Sequence, residues 1–153
     1  MSNDQQIHII RAFVARLREQ VSHLSPEQLT TAYIEGEWTI AQNVHHLFDS
    51  HSNAYQLCKR VLSEENAALS WTQQDILADL PDAKRAEIAS SLNGLDGLHA
   101  RWADMFANVN DWDKSGTSLK SGKPYTMQRL LEMYTNHCEN HIQQIQSVLD
   151  AMD

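Results

Sequence analysis

Apolar residues recur along this chain at three- and four-residue intervals, the spacing that gathers them into one stripe on a helix and drives that stripe into a core. Ile7, Ile10, Val14, Leu17 and Val21 form the first stripe, with Arg11, Arg18 and Glu19 off it, and predict a helix over residues 4–23 that stops near Ser25-Pro26. Ile40, Val44, Leu47, Tyr55, Cys58, Val61 and Leu62 predict a second helix from Thr39 to about Leu62. Its first residues, Thr39-Ile-Ala-Gln42, have the form of a capping box, in which side chains satisfy the first backbone amides. Residues 63–82 have weak periodicity and read as a long connection with a short helical turn around residues 73–78. Connections of that length are often functional. Ile88, Leu92, Leu95, Leu98, Trp102 and Phe106 predict a third helix over about residues 82–109. Gly94 and Gly97 cost it propensity and are candidates for close helix packing. Residues 110–125, with Ser115-Gly-Thr-Ser and Lys120-Ser-Gly-Lys-Pro124, predict a loop or small hairpin. Thr126 then caps a fourth helix that reaches about Asp150.

Four amphipathic helices without sustained strand patterns predict an all-α, four-helix bundle as a single domain over residues 1–153. In such a bundle, sites are built from inward-facing side chains on different helices. The long links after the second and third helices leave the helix order open. Composition narrows the function classes. A formal charge of -8 opposes binding to nucleic acid or an anionic membrane surface, both of which need a positive field. No apolar run approaches the roughly 20 residues of a membrane span, and Met-Ser-Asn-Asp-Gln-Gln lacks a basic region followed by an apolar one. The expected location is the cytoplasm and the expected partner a small-molecule substrate. Two cysteines, Cys58 and Cys138, supply neither a disulfide framework nor a four-cysteine zinc site and read as small core residues. The four tryptophans, Trp38, Trp71, Trp102 and Trp112, are expected to pack in the core.

Candidate chemistry lies in the histidines. His137 and His141, in Tyr134-Thr-Asn-His-Cys-Glu-Asn-His141, are spaced i,i+4 and so share a helix face. At about 100° per residue they border the buried stripe of the fourth helix. Two desolvated imidazoles side by side are costly unless something binds them, which points to a metal ion. Cys138, turned about 100° from His137, cannot converge on the same ion. A third nitrogen would come from Val44-His-His-Leu-Phe-Asp-Ser-His51 on the second helix. There His45 points away from the stripe towards solvent, His46 sits at its edge, and His51 points into its middle, so periodicity alone prefers His51 as the buried ring. Three neutral nitrogens would leave a divalent ion with an open position for chemistry.

Gly36-Glu-Trp-Thr39, Val44-His-His-Leu-Phe-Asp-Ser-His-Ser-Asn-Ala-Tyr55, Leu62-Ser-Glu-Glu-Asn66, Leu98-His-Ala-Arg-Trp102 and Tyr134 through Ile145 together resemble the DinB superfamily, and more closely its YfiT-like branch, over roughly residues 34–146. The resemblance implies His46, His137 and His141 as metal ligands, a DinB-type bundle, and a homodimer. The chain departs from the close branch in a shorter N-terminus and in Cys138-Glu-Asn140 between the two late ligands. It implies a metal-dependent transferase or hydrolase. The first expectation is thiol S-transfer, in which a low-molecular-weight thiol co-substrate such as bacillithiol, mycothiol or glutathione is deprotonated at the ion. Hydrolysis by activated water is the alternative, and a structural metal in a non-enzymatic dimeric bundle is a third reading. Zinc is favoured on ligand type, with nickel, copper and iron also suited to imidazole. No carboxylate stands out as a general base: Asp49 lies about 60° from His46 on the helix wheel, and Glu139 projects away from the His137/His141 edge. Gln42 and Tyr134 are the candidates for orienting the imidazoles.

Overall fold

Hydroxyl side chains set where the helices begin. In the computed structural model, which describes residues 1–152, Ser2, Ser25, Thr39 and Thr126 each accept a hydrogen bond from the backbone amide three residues on. At Ser2, Ser25 and Thr39 the returning glutamine completes a capping box. The helices that follow are α1 (Asn3–Val21), the short α2 (Pro26–Thr30), α3 (Ile40–Ser63) and, at the far end of the chain, α6 (Met127–Asp150). The expected turn near residue 73 is α4 (Gln74–Ala78).

The third long helix begins later than its apolar pattern suggests. α5 spans Ala89–Ala107, and the residues before it form a 3-10 turn at Pro81–Lys84 and an extended stretch. Hydrogen bonds within the segment and across to α3 explain the delay. The Glu87 carboxylate accepts from the Ser90 amide and hydroxyl, capping a helix that starts there, and the Arg85 carbonyl accepts from His45 Nε2 at 2.9 Å. His45 is therefore half-buried against the start of α5, with Nδ1 2.8 Å from Ser91 Oγ, rather than turned to solvent.

Residues 115–126 form the small hairpin, β2 (Ser115–Ser118) antiparallel to β3 (Pro124–Thr126). A two-residue β1 (Ala68–Leu69) in the long connection pairs parallel to β2, with Leu69 opposite Ser118. Two isolated strand residues carry no readable periodicity, so this third strand is a finding of the structure. Gly116 sits where the strands meet, and a Cβ there would fall 2.6 Å from the Ala67 carbonyl oxygen.

The bundle does not follow chain order. α1 packs on α5 and α6, and α3 packs on the same two, so α1 and α3 lie diagonally. Ile10, Phe13, Leu17, Leu47, Trp102, Phe106 and Leu131 are wholly buried between them. This order puts α3 beside α6, the two helices that carry the candidate ligands. Gly94 lets α5 approach α3, since its Cβ would fall 2.5 Å from the Phe48 ring. Gly97, on the exposed side of α5, faces open space. No helix among the described residues is long and apolar enough to cross a membrane.

Replacing Gly97 by Ala removes backbone freedom from the unfolded chain without a clash, and is expected to stabilise the fold by roughly 0.5–1 kcal/mol. Thermal unfolding should then shift up by about 1–4 °C; a decrease would show that the helix backbone is strained at this position.

Candidate metal centre

α3 and α6 bring His46, His137 and His141 to one point. One nitrogen from each lies within 4.8 Å of the other two. His46 Nε2 and His137 Nε2 are 3.4 Å apart. Zinc–imidazole bonds of about 2.0–2.1 Å in tetrahedral geometry put neighbouring nitrogens on the order of 3.4 Å apart, so this separation suits a shared ion. Cys138 is wholly buried and outside the cluster. Glu139 is held by Arg16 in a two-pronged ion pair, away from the site.

Burial decides the charge of the ligands. His46 and His137 are pushed down to about 4 and His141 to about 3, in each case chiefly by loss of water. Mutual repulsion with neighbouring rings adds to this for His137 and His141, whereas the negative charge of Asp75 partly offsets it at His46. All three are neutral at pH 7, the form that donates a lone pair to a metal. His141 is also oriented. Asn43 Nδ2 donates to the Thr39 carbonyl at 3.1 Å, which turns Asn43 Oδ1 to accept from His141 Nδ1 at 3.0 Å. His141 Nε2 is left with its lone pair on the cluster side. This donor set fits a divalent ion.

His51 and His46 turn out to be complementary rather than competing. His51 is wholly buried, as its position in the stripe predicts, yet it lies behind the ligands with Nε2 2.9 Å from His137 Nδ1. His51 Nδ1 lies 2.8 Å from His99 Nε2, and His99 Nδ1 lies 2.7 Å from the Ile10 carbonyl oxygen. The expected orienting groups do other work. Gln42 bonds the Thr39 amide and the Ala78 carbonyl, and the Tyr134 hydroxyl accepts from Trp71 Nε1 at 2.9 Å. Asn43 and His51 take their place. Both carry a readable signal, a polar side chain on the apolar side of a helix within five residues of a ligand, as does His99 between Leu95 and Trp102 on α5.

A cleft of about 590 Å³ opens onto the centre, lined by His137 and His141 together with Trp38, Glu37, Gln74, Asp75, Asn140 and Gln144. Trp38 is a wall of this cleft rather than a core residue, 4.8 Å from the His46 ring and nearly parallel to the His141 ring at 6.4 Å. Gly36, at φ +79°, turns the chain into it. A second cavity of about 290 Å³ shares Gln74, His137 and Asn140 with the first and is walled by Trp71, Tyr134 and Met133. Trp71 thus also faces a cavity, while Trp102 lies in the core and Trp112 packs on Phe106. Asp75, on α4 of the long connection, is the nearby carboxylate that the helix patterns did not reveal, because no periodicity ties that connection to the bundle. Asp49 faces Asp82 and His45 instead.

Comparison with known proteins matches residues 9–145 to the family model described as the DinB superfamily. A protein of Geobacillus thermodenitrificans is 36% identical over 144 residues, 93% of this chain and 81% of the relative, and bears the name "Putative metal-dependent hydrolase". Bacillus subtilis YfiT, of the same designation, is 34% identical over the same shares. The solved structure of YfiT, described as "a probable metal-dependent hydrolase with an unusual four-helix bundle topology", superposes with a TM-score of 0.91 at 31% identity, covering 97% of this chain and 87% of that one.

His46, His51, His99, His137 and His141 titrate below the value of about 6.5 expected in the unfolded chain, so between pH 6.5 and 4 the unfolded state binds more protons. Protein stripped of metal is expected to be most stable above pH 6.5 and to lose stability as pH falls through 4, by on the order of 3 kcal/mol from His99 alone, whose value is about 4. Urea midpoints measured from pH 7.5 to 4 read this directly; a flat profile would mean that the rings are not desolvated.

Proposed function

The chain belongs to the DinB superfamily, and on that premise we propose that it is a metal-dependent hydrolase in which His46, His137 and His141 hold a divalent ion, zinc in the first instance. The observation that carries this reading is the convergence of three neutral imidazoles beside an open, carboxylate-bearing cleft. A structural metal normally has four protein ligands, and the cluster contains three. A divalent ion held by these three residues would supply Lewis acidity suited to hydrolysis near neutral pH.

The chain's own residues supply the remainder. Asp75 lines the same cleft and its charge reaches His46, which supports its carboxylate as the proton-accepting group of the site. Trp38 covers one side of the centre and keeps bulk water off His46 and His141. Asn140, Gln144 and Gln74 offer amide donors and acceptors that hold a polar substrate without adding charge. Among the residues lining both cavities none is lysine or arginine, while Glu37 and Asp75 are acidic. That lining favours neutral or cationic esters and amides. It gives the carboxylates of glutathione or bacillithiol no basic side chain to meet, which weighs against thiol S-transfer at the same three imidazoles.

Zinc-loaded protein, assayed against neutral and cationic esters and amides with no thiol present, is expected to release product and to stop when a chelator strips the ion. Asp75→Asn should lower kcat by roughly 10²-fold with bound zinc unchanged. Turnover that requires an added thiol would replace hydrolysis by S-transfer, and turnover in stripped protein would remove the metal from the reaction.

A further inference from the structure

We propose that His99, which is not one of the ligands, fixes the metal-binding form of His137 through His51, so that His51 and His99 are positioning residues for the ion. The inference rests on the metal site of the reading above and not on its reaction.

A carbonyl oxygen can only accept a hydrogen bond, whereas a neutral imidazole has one donor and one acceptor nitrogen. His99 Nδ1, 2.7 Å from the Ile10 carbonyl, must therefore carry the proton, which leaves a lone pair on His99 Nε2. His51 Nδ1, 2.8 Å from that lone pair, must donate to it, so His51 Nε2 is an acceptor. His137 Nδ1, 2.9 Å from His51 Nε2, must then carry its proton, and His137 Nε2 is left bare towards His46 and His141. Each link permits one arrangement only. The direction is set at α1 and passes through α5 and α3 to the ligand on α6.

The argument requires neutral rings that cannot turn over. His51 and His99 are 0% and 1% exposed, and no carboxylate is hydrogen-bonded to either, so a protonated ring would be a buried, uncompensated charge. Phe13 lies 5.6 Å from the His51 ring and 5.1 Å from His99, and Trp102 lies 5.4 and 5.5 Å from the same two. These aromatic walls resist a ring flip and exclude a water that could substitute for either partner. If the acceptor on His99 were lost, His51 would satisfy itself best with its proton on Nε2. His137 Nδ1 would then become an acceptor, and its remaining proton would sit on Nε2, where the ion must bind.

The test pairs His99→Phe, which removes the acceptor and keeps a ring, with His99→Gln, whose carboxamide oxygen takes the place of Nε2. Zinc affinity is read by competition with a chromophoric chelator, and the tautomers of His51, His99 and His137 by long-range proton–nitrogen correlation on 15N-histidine-labelled protein, with and without zinc. Expected results are Nδ1–H forms for all three rings in the wild type and a zinc affinity 10–100-fold weaker in His99→Phe. His99→Gln should return to within about threefold of wild type, in line with an acceptor restored at that point. An Nε2–H form of His137 in wild-type protein overturns the proposal, as does equal loss of zinc affinity in both variants or wild-type affinity in His99→Phe. The wild-type spectrum decides even if His99→Phe fails to fold. A protein that binds zinc with these tautomers yet cleaves no ester or amide sinks the hydrolase reading and leaves this one standing.

Discussion

Neutral imidazoles buried without counter-charges impose a strict demand: every ring proton needs an acceptor, and every lone pair needs a proton or a cation. In the interior of this bundle, the rings of His51 and His99 satisfy that demand with each other, with a backbone carbonyl and with His137. At the rim, His46, His137 and His141 leave theirs open toward a shared point. The candidate metal centre is the end of a hydrogen-bonding system that begins in the middle of the core. Its chemistry cannot be separated from the packing that keeps the rings dry.

That packing depends on the helix order. With α1 and α3 on opposite corners, each meets both α5 and α6. A line from Ile10 on α1 through His99 on α5 and His51 on α3 to His137 on α6 can therefore cross the bundle without leaving neighbouring helices. An order in which each helix packed beside its successor in the chain would place α1 beside α3, and the line from α1 through α5 to α3 would lose its route. The long connections are what this order needs. They also supply Trp38 before α3, and Trp71 and Asp75 after it, as walls and chemistry for the cleft.

The cleft differs in kind from the core behind it. Its lining is rich in carboxamides and has two carboxylates but no basic side chain, matching the sign of the chain's overall charge of -8. The acidic rim and the overall negative charge disfavour anions over the mouth of the cleft. The charge of the cleft thus comes from loop and helix-rim residues, while the hydrogen bonds behind the histidine cluster come from the core.

Local rules were enough for much of the architecture. Helical periodicity located all four long helices, Thr39 and Thr126 marked two of their starts, and the turn chemistry of residues 110–125 became a hairpin. The i,i+4 spacing of His137 and His141 showed a shared face, because a helix fixes the angle between its own residues. It does not fix what lies across from them. The choice between His46 and His51 was open for that reason: both are buried on α3, and only the position of α6 separates the ring that joins the three-histidine cluster from the ring that stands behind it. The delayed start of α5, the approach of Asp75 to His46, and the link from His99 to Ile10 likewise arise from contacts between segments distant in the chain. Pattern within a helix gives direction about one axis; only the packing of several axes turns directions into distances.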